Sequence, residues 1–150
     1  MVEITQEWLF KETKDFLSKG EKVIMRGRGN SMNPYLRAGI DSVVLSPYRP
    51  EDLKAGVIAL FSCQGKYILH RIIGRKEKYL VIQGDGVCKR KEFVPEKDII
   101  AVVWTVIRPN GREVSTQSFG ARLYWYGWRL LRPVRRYVLW FWRKSCHNNS

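Results

Sequence analysis

Residues 57–73 read VIALFSCQGKYILHRII. Two apolar runs, Val57 to Cys63 and Lys66 to Ile73, flank Gln64-Gly65, and that spacing predicts a tight β-hairpin. With a period of two, Tyr67, Leu69 and Arg71 face one way, and Ile68, His70 and Ile72 face the other. His70 therefore shares a face with two isoleucines and should be partly desolvated. Burial disfavours a charged ring, which suits a general base working near neutrality. It suits a structural core histidine equally well.

Outward from the hairpin, similar runs recur at Glu21 to Arg28, Asp41 to Ser46, Tyr79 to Gln83 and Ile99 to Ile107. Glycine or proline punctuates the connections at Gly39, Pro47, Pro50, Gly56, Gly74, Gly84 and Pro95. Short strands about ten residues apart predict a mainly β chain curled into a compact structure. A length of 150 residues allows one domain with a modest core. Ahead of the strands, Ile4, Trp8, Leu9, Phe16 and Leu17 make one apolar side of an amphipathic helix that Gly20 closes. The expected organisation is thus a helix over 1–20, a β domain over 21–107 and a basic, aromatic helical tail over 108–150.

The segment entering the β domain reads Gly29-Asn30-Ser31-Met32-Asn33-Pro34. It offers a hydroxyl in a glycine-rich turn, and a serine becomes a nucleophile only when a positioned base takes its proton. A serine in such a turn is more commonly a residue that bonds its own backbone. The chain has two histidines. His147 lies in the polar end of the chain, so His70 is the base available to Ser31. Downstream, Gly84-Asp85-Gly86 supplies a further turn.

Gly29-x-Ser31-Met32-x-Pro34, then Asp41-Ser42-Val43-Val44, then the His70 strand and the Gly84-Asp85 turn, resemble the signal peptidase I and LexA-like serine peptidase superfamily. The resemblance covers about residues 20–107. Its closest type is the archaeal and endoplasmic-reticulum signal peptidases, where the base is histidine; most bacterial members have lysine there. The resemblance implies Ser31 as nucleophile, His70 as base and a preference for small side chains at the scissile bond. Gly56-Val57 stands where relatives have Gly-Asp ahead of the second strand. Arg90 and Lys91, with Glu92 beside them, stand where the histidine type carries a second acid. Asp85 is therefore expected to support His70 or the turn that positions it. The oxyanion would be met by the Ser31 N–H, and since relatives' serine hydroxyl two residues before the nucleophile is Gly29 here, the second donor is either Asn30 or missing. Met32 is expected to shape the substrate cleft. The chemistry needs no metal or organic cofactor.

Charge and cysteine content narrow the setting. Cys63, Cys88 and Cys146 are odd in number and lack C-x-x-C spacing, so neither a disulfide framework nor a zinc site is suggested, and a reducing compartment is expected. Cys88 is a minor rival nucleophile. The formal charge is +13. Between 108 and 150 there are eight arginines and one lysine against Glu113 alone. On a helical wheel over 121–144, Arg122, Arg129, Arg132, Arg136 and Arg143 cluster opposite Leu123, Leu130, Val134, Val138 and Phe141, with Trp125, Trp128, Trp140, Trp142 and three tyrosines between. Pro133 should kink or divide the helix. Such a composition suits a helix in the interface of an anionic membrane; the alternative is docking on the protein's own sheet or on a partner. The acidic residues of the first 19 positions exclude a signal peptide there, and no stretch reaches about 18 uncharged apolar residues.

The function expected is a membrane-associated serine endopeptidase, a signal peptidase-like hydrolase that cleaves a leader or signal segment from a peptide or protein precursor. With an interfacial tail and no spanning helix it would be cytoplasmic, peripheral on the inner face of the cell membrane. Two rivals belong to other classes: a self-cleaving LexA-like regulator, which would need a DNA-reading module, and a non-catalytic module binding peptide or single-stranded nucleic acid through the basic aromatic tail.

Overall fold

A computed structural model describes residues 6–27 and 29–147, with side chains from residue 10 to 145 apart from Arg28. The chain runs α1 (Gln6–Ser18), β1 (Val23–Arg26), β2 (Ser42–Ser46), β3 (Ile58–Cys63), β4 (Lys66–Lys76), β5 (Tyr79–Gln83), β6 (Glu92–Pro95), β7 (Ile99–Ile107), β8 (Glu113–Ser115), α2 (Phe119–Leu130) and α3 (Arg135–His147). The eight strands form one sheet, antiparallel throughout, in the order β1-β2-β7-β3-β4-β5-β6, with β8 also on β7.

The β3–β4 hairpin forms as its sequence dictates. Cys63 pairs with Lys66, and Gln64 and Gly65 both take positive φ, 50° and 73°. Two left-handed residues in a row give a turn whose twist matches the strands it joins. Beyond the hairpin the alternation sorts side chains into two apolar layers. Ile58 and Leu60 join Leu45, Val103 and Val106 on one face of the sheet, with Tyr67 and Leu69 packed against them. Ala59 and Phe61 join Ile72, Leu80, Ile82 and Val94 on the other, with Ile68 alongside. Both faces are covered, so Ile58 to Phe61 of β3 are apolar on both sides rather than half polar.

β7 serves both layers by breaking its own period. Leu60 faces Ala101 and Phe61 faces Ile99, so Ile100 is an extra residue; Val44 faces Thr105 and Leu45 faces Val103, so Trp104 is another. Each bulge adds local twist and bends the strand, which lets the sheet curl.

The helices depart from expectation in part. α1 packs through Phe10, stacked on Tyr67 with ring centroids 3.7 Å apart, and through Leu17. Phe16, expected on that apolar side, is exposed. Ile4 and the side chains of Trp8 and Leu9 lie outside the described residues. The region expected to be a helical tail begins with a strand, β8, so the sheet continues past residue 107. Residues 131–134 separate α2 from α3, because Pro133 has no N–H to donate. A wheel drawn continuously over 121–144 therefore misplaces side chains beyond the break. Among the described residues no helix is long and apolar enough to cross a membrane.

Candidate active site

Ser31 sits in a turn between β1 and β2 that is held from both sides. Within it, Asn33 N–H donates to the Asn30 carbonyl at 3.1 Å and Leu36 N–H to the Met32 carbonyl at 3.0 Å. The Asn33 amide also donates to Asn30 Oδ1. Downstream, Asp41 accepts from Arg37 N–H and from both Arg37 and Arg108 guanidiniums. Burial alone would raise the Asp41 pKa. The bonds from Arg37 and the charges of Arg108 and Arg37 outweigh that and hold it below the ordinary carboxylate value. The loop is thereby tied to the end of β7.

Across from it lies the Gly84-Asp85-Gly86 turn. Gly86 N–H donates to the Ser31 carbonyl at 2.7 Å. A methyl group at residue 84 would collide with the Ser31 carbonyl oxygen and stand 3.0 Å from His70 Nε2. One at residue 86 would stand 2.5 Å from the Asn30 carbonyl oxygen. The two turns touch backbone to backbone, and only glycine permits that approach. Gly84 is also the point on which the Ser31 main chain and the His70 ring converge.

His70 is 5% exposed, on the β4 face with Ile68 and Ile72, and its ring meets Phe61 edge-on. Its Nδ1 lies 3.2 Å from Glu92 Oε2. A neutral imidazole that donates from Nδ1 to a carboxylate leaves a lone pair on Nε2. Nε2 is the atom beside Gly84 and the serine turn. In that tautomer a hydroxyl brought to Nε2 would find an acceptor. Among the described residues, Ser31 Oγ makes no hydrogen bond, and nothing accepts one from the Ser31 N–H.

Of the two roles expected for Asp85, contact with the imidazole is not the one it has. Its carboxylate does not reach His70 but pairs with Arg71, Nε to Oδ1 at 2.9 Å and Nη2 to Oδ2 at 2.8 Å, with both side chains almost fully buried. Tyr124 Oη donates to the same carboxylate at 3.2 Å. The reason is strand geometry: Arg71 follows His70 and points to the opposite face, and Asp85 lies on the Arg71 side. Arg71 is sandwiched among Tyr35, Tyr124 and Trp125 and donates to the Gly56 carbonyl. Asp85 thus fixes the turn, the second of its two expected roles.

The acid that meets the imidazole is Glu92, on a strand that the sequence pattern does not reveal. Arg90-Lys91-Glu92 reads as a solvated charge run, yet Glu92 and Val94 point inward on β6 while Phe93 is 55% exposed. The alternation of Glu92, Phe93 and Val94 is the signal that could have found it. Met32 also differs from expectation: it is 4% exposed within the core layer containing Leu36 and Leu45, where it anchors the serine turn. Asn30 is exposed at the rim. Cys88 is exposed on the loop after the glycine turn.

The tail closes the site from behind. Trp128 Nε1 donates to the Asp85 carbonyl at 3.0 Å, and buried Arg135 donates to the carbonyls of both Gly84 and Asp85. Burial lowers the Arg135 pKa, partly offset by the charge of Asp85. One side of each tail helix is therefore spent on the protein's own glycine turn.

Compared with protein families, with curated proteins and with solved structures, the chain matches none.

Proposed function

We propose that this protein is a serine endopeptidase of the signal peptidase type, acting through Ser31 and His70 with Glu92 as the positioning carboxylate. The observation that carries the reading is the state of the imidazole: Nδ1 engaged by Glu92, Nε2 open beside the Ser31 turn. Ser31 Oγ attacks the peptide carbonyl while His70 Nε2 takes its proton, and the imidazolium returns that proton to the leaving amine. Glu92 stabilises the imidazolium formed between the two steps. The Ser31 N–H faces the developing oxyanion, with Asn30 as the second donor. By resemblance the substrate is a leader or signal segment with small residues at the scissile bond.

The test is cleavage of a diverse peptide mixture, with new termini read by mass spectrometry. Ser31→Ala and His70→Ala should each remove cleavage by several powers of ten, and their losses should not add, because nucleophile and base act as one unit. A folded Ser31→Ala protein that cleaves at the full rate sinks the proposal. Unfolding of His70→Ala with normal cleavage in Ser31→Ala would leave His70 a core residue.

A further inference from the structure

The tail helices are apolar on two sides, and only one side is used. In α2 the inner side carries Ala121, Trp125 and Trp128, all buried. Phe119, Leu123, Tyr126 and Leu130 follow one another at steps of four, three and four, so they form a single stripe on the opposite side. Their exposures are 78, 56, 59 and 82%. In α3, Arg135 and Leu139 are buried, while Tyr137, Trp140 and Phe141 are more than half exposed. Large apolar side chains gathered on the water side of a helix mark a contact surface.

The charges identify the occupant. Arg122, Arg129, Arg132, Arg136 and Lys144 are exposed around this surface, while Arg143 reaches back to the Gly86 carbonyl, and residues 114–150 contain no acidic residue. Arg136 lies over the Tyr137 ring and Lys144 over the Trp140 ring, each 4.7–4.8 Å from the centroid. The charged heads themselves lie on these rings, so cations and aromatic groups share one surface. A second copy of the chain would bring two such sets of cations together. A nucleic acid would engage the arginines and leave Leu123 and Leu130 in water. An anionic bilayer takes both, the apolar groups among the acyl chains and the cations among the headgroups.

We propose that the outer side of α2 and α3 is a docking surface for an anionic lipid bilayer. The inner side holds the carbonyls of Gly84 and Asp85, so docking would hold the protein at the membrane with the tail helices between the glycine turn and the bilayer. The surface does not depend on the peptidase reading: Ser31→Ala should bind lipid as the wild type does.

The experiment is sedimentation of the full chain with vesicles of phosphatidylcholine alone or with phosphatidylserine added. Binding should require phosphatidylserine and weaken as salt rises. Arg129→Ala with Arg132→Ala should weaken it about 25-fold, each arginine near such a surface being worth about fivefold. Leu130→Ser with Phe141→Ser should weaken it with the far-ultraviolet spectrum and melting temperature unchanged, since both side chains are exposed. Indifference to phosphatidylserine vesicles, equal binding by both variants, or salt-dependent binding to a single-stranded oligonucleotide without vesicle binding would each overturn the proposal. So would a stable dimer that the Leu130→Ser and Phe141→Ser changes dissociate.

Discussion

His70 and Arg71 are consecutive on β4, both buried, and each meets a carboxylate contributed after β5, yet the two pairs are built differently. Arg71 and Asp85 share two short bonds, and further partners saturate both. His70 has one contact of 3.2 Å, to a glutamate whose side chain is 10% exposed, and one ring nitrogen left open. A saturated pair holds a turn in place and has no proton to exchange. An unsaturated one is ready to take a proton and pass it on. Because neighbouring residues on a strand face opposite layers, one acid cannot serve both. The protein accordingly spends Asp85 on architecture and Glu92 on the imidazole.

The sharpest way to break this contrast is to neutralise each acid. Glu92→Gln should lower cleavage by about 10²–10⁴-fold, as loss of the orienting acid does in other serine-histidine systems, with little change in melting temperature. It should also alter the pH profile of cleavage, which a purely structural carboxylate would leave in place. An unchanged rate and profile would leave Glu92 a structural partner of His70 with no part in the chemistry.

Asp85→Asn should do the reverse and cost stability first. Breaking one partner of a buried ion pair typically costs about 3–5 kcal/mol, because the remaining charge stays buried without compensation. Urea unfolding should therefore shift to lower midpoints with an unchanged slope. A fully stable Asp85→Asn protein with no cleavage would assign Asp85 to catalysis instead.

The smallest effect concerns the arginine clamp on the serine loop. The Asp41 pKa is depressed in the folded protein from an ordinary 3.8, so its contribution to stability is present above that value and is lost as pH falls through the lower folded value. Thermal unfolding of Asp41→Asn should show a deficit near neutrality on the order of 1 kcal/mol, since Arg37 stays 40% exposed and solvent screens the pair. The deficit should close as both proteins are acidified below the ordinary carboxylate range. A deficit that persists in acid would mean that Asp41 acts through packing rather than charge.

Local pattern made much of this molecule legible. The Gln64-Gly65 hairpin, the alternation that puts His70 on one face of β4 and Arg71 on the other, and the break at Pro133 are each consequences of backbone chemistry within a few residues. The glycines at 84 and 86 were visible as a turn, but not the reason for them, which is a second turn pressed against them from more than 50 positions away. Glu92 was hidden because two basic neighbours make a paired strand look like a solvated run.

By itself the sequence determined six of the eight strands, the order of serine and histidine, and the excess of positive charge in the tail, since period, turn residues and composition are properties of neighbouring residues. Only the tertiary structure decided which acid faces the imidazole, that Asp85 belongs to Arg71, and which side of the tail is spent on the protein's own glycine turn. Those outcomes depend on the register of β4, β5 and β6, which sets Ile72, Ile82 and Glu92 side by side. A slip of one residue would move Glu92 to the layer opposite His70, and the packing and burial that select the register are set across the whole sheet.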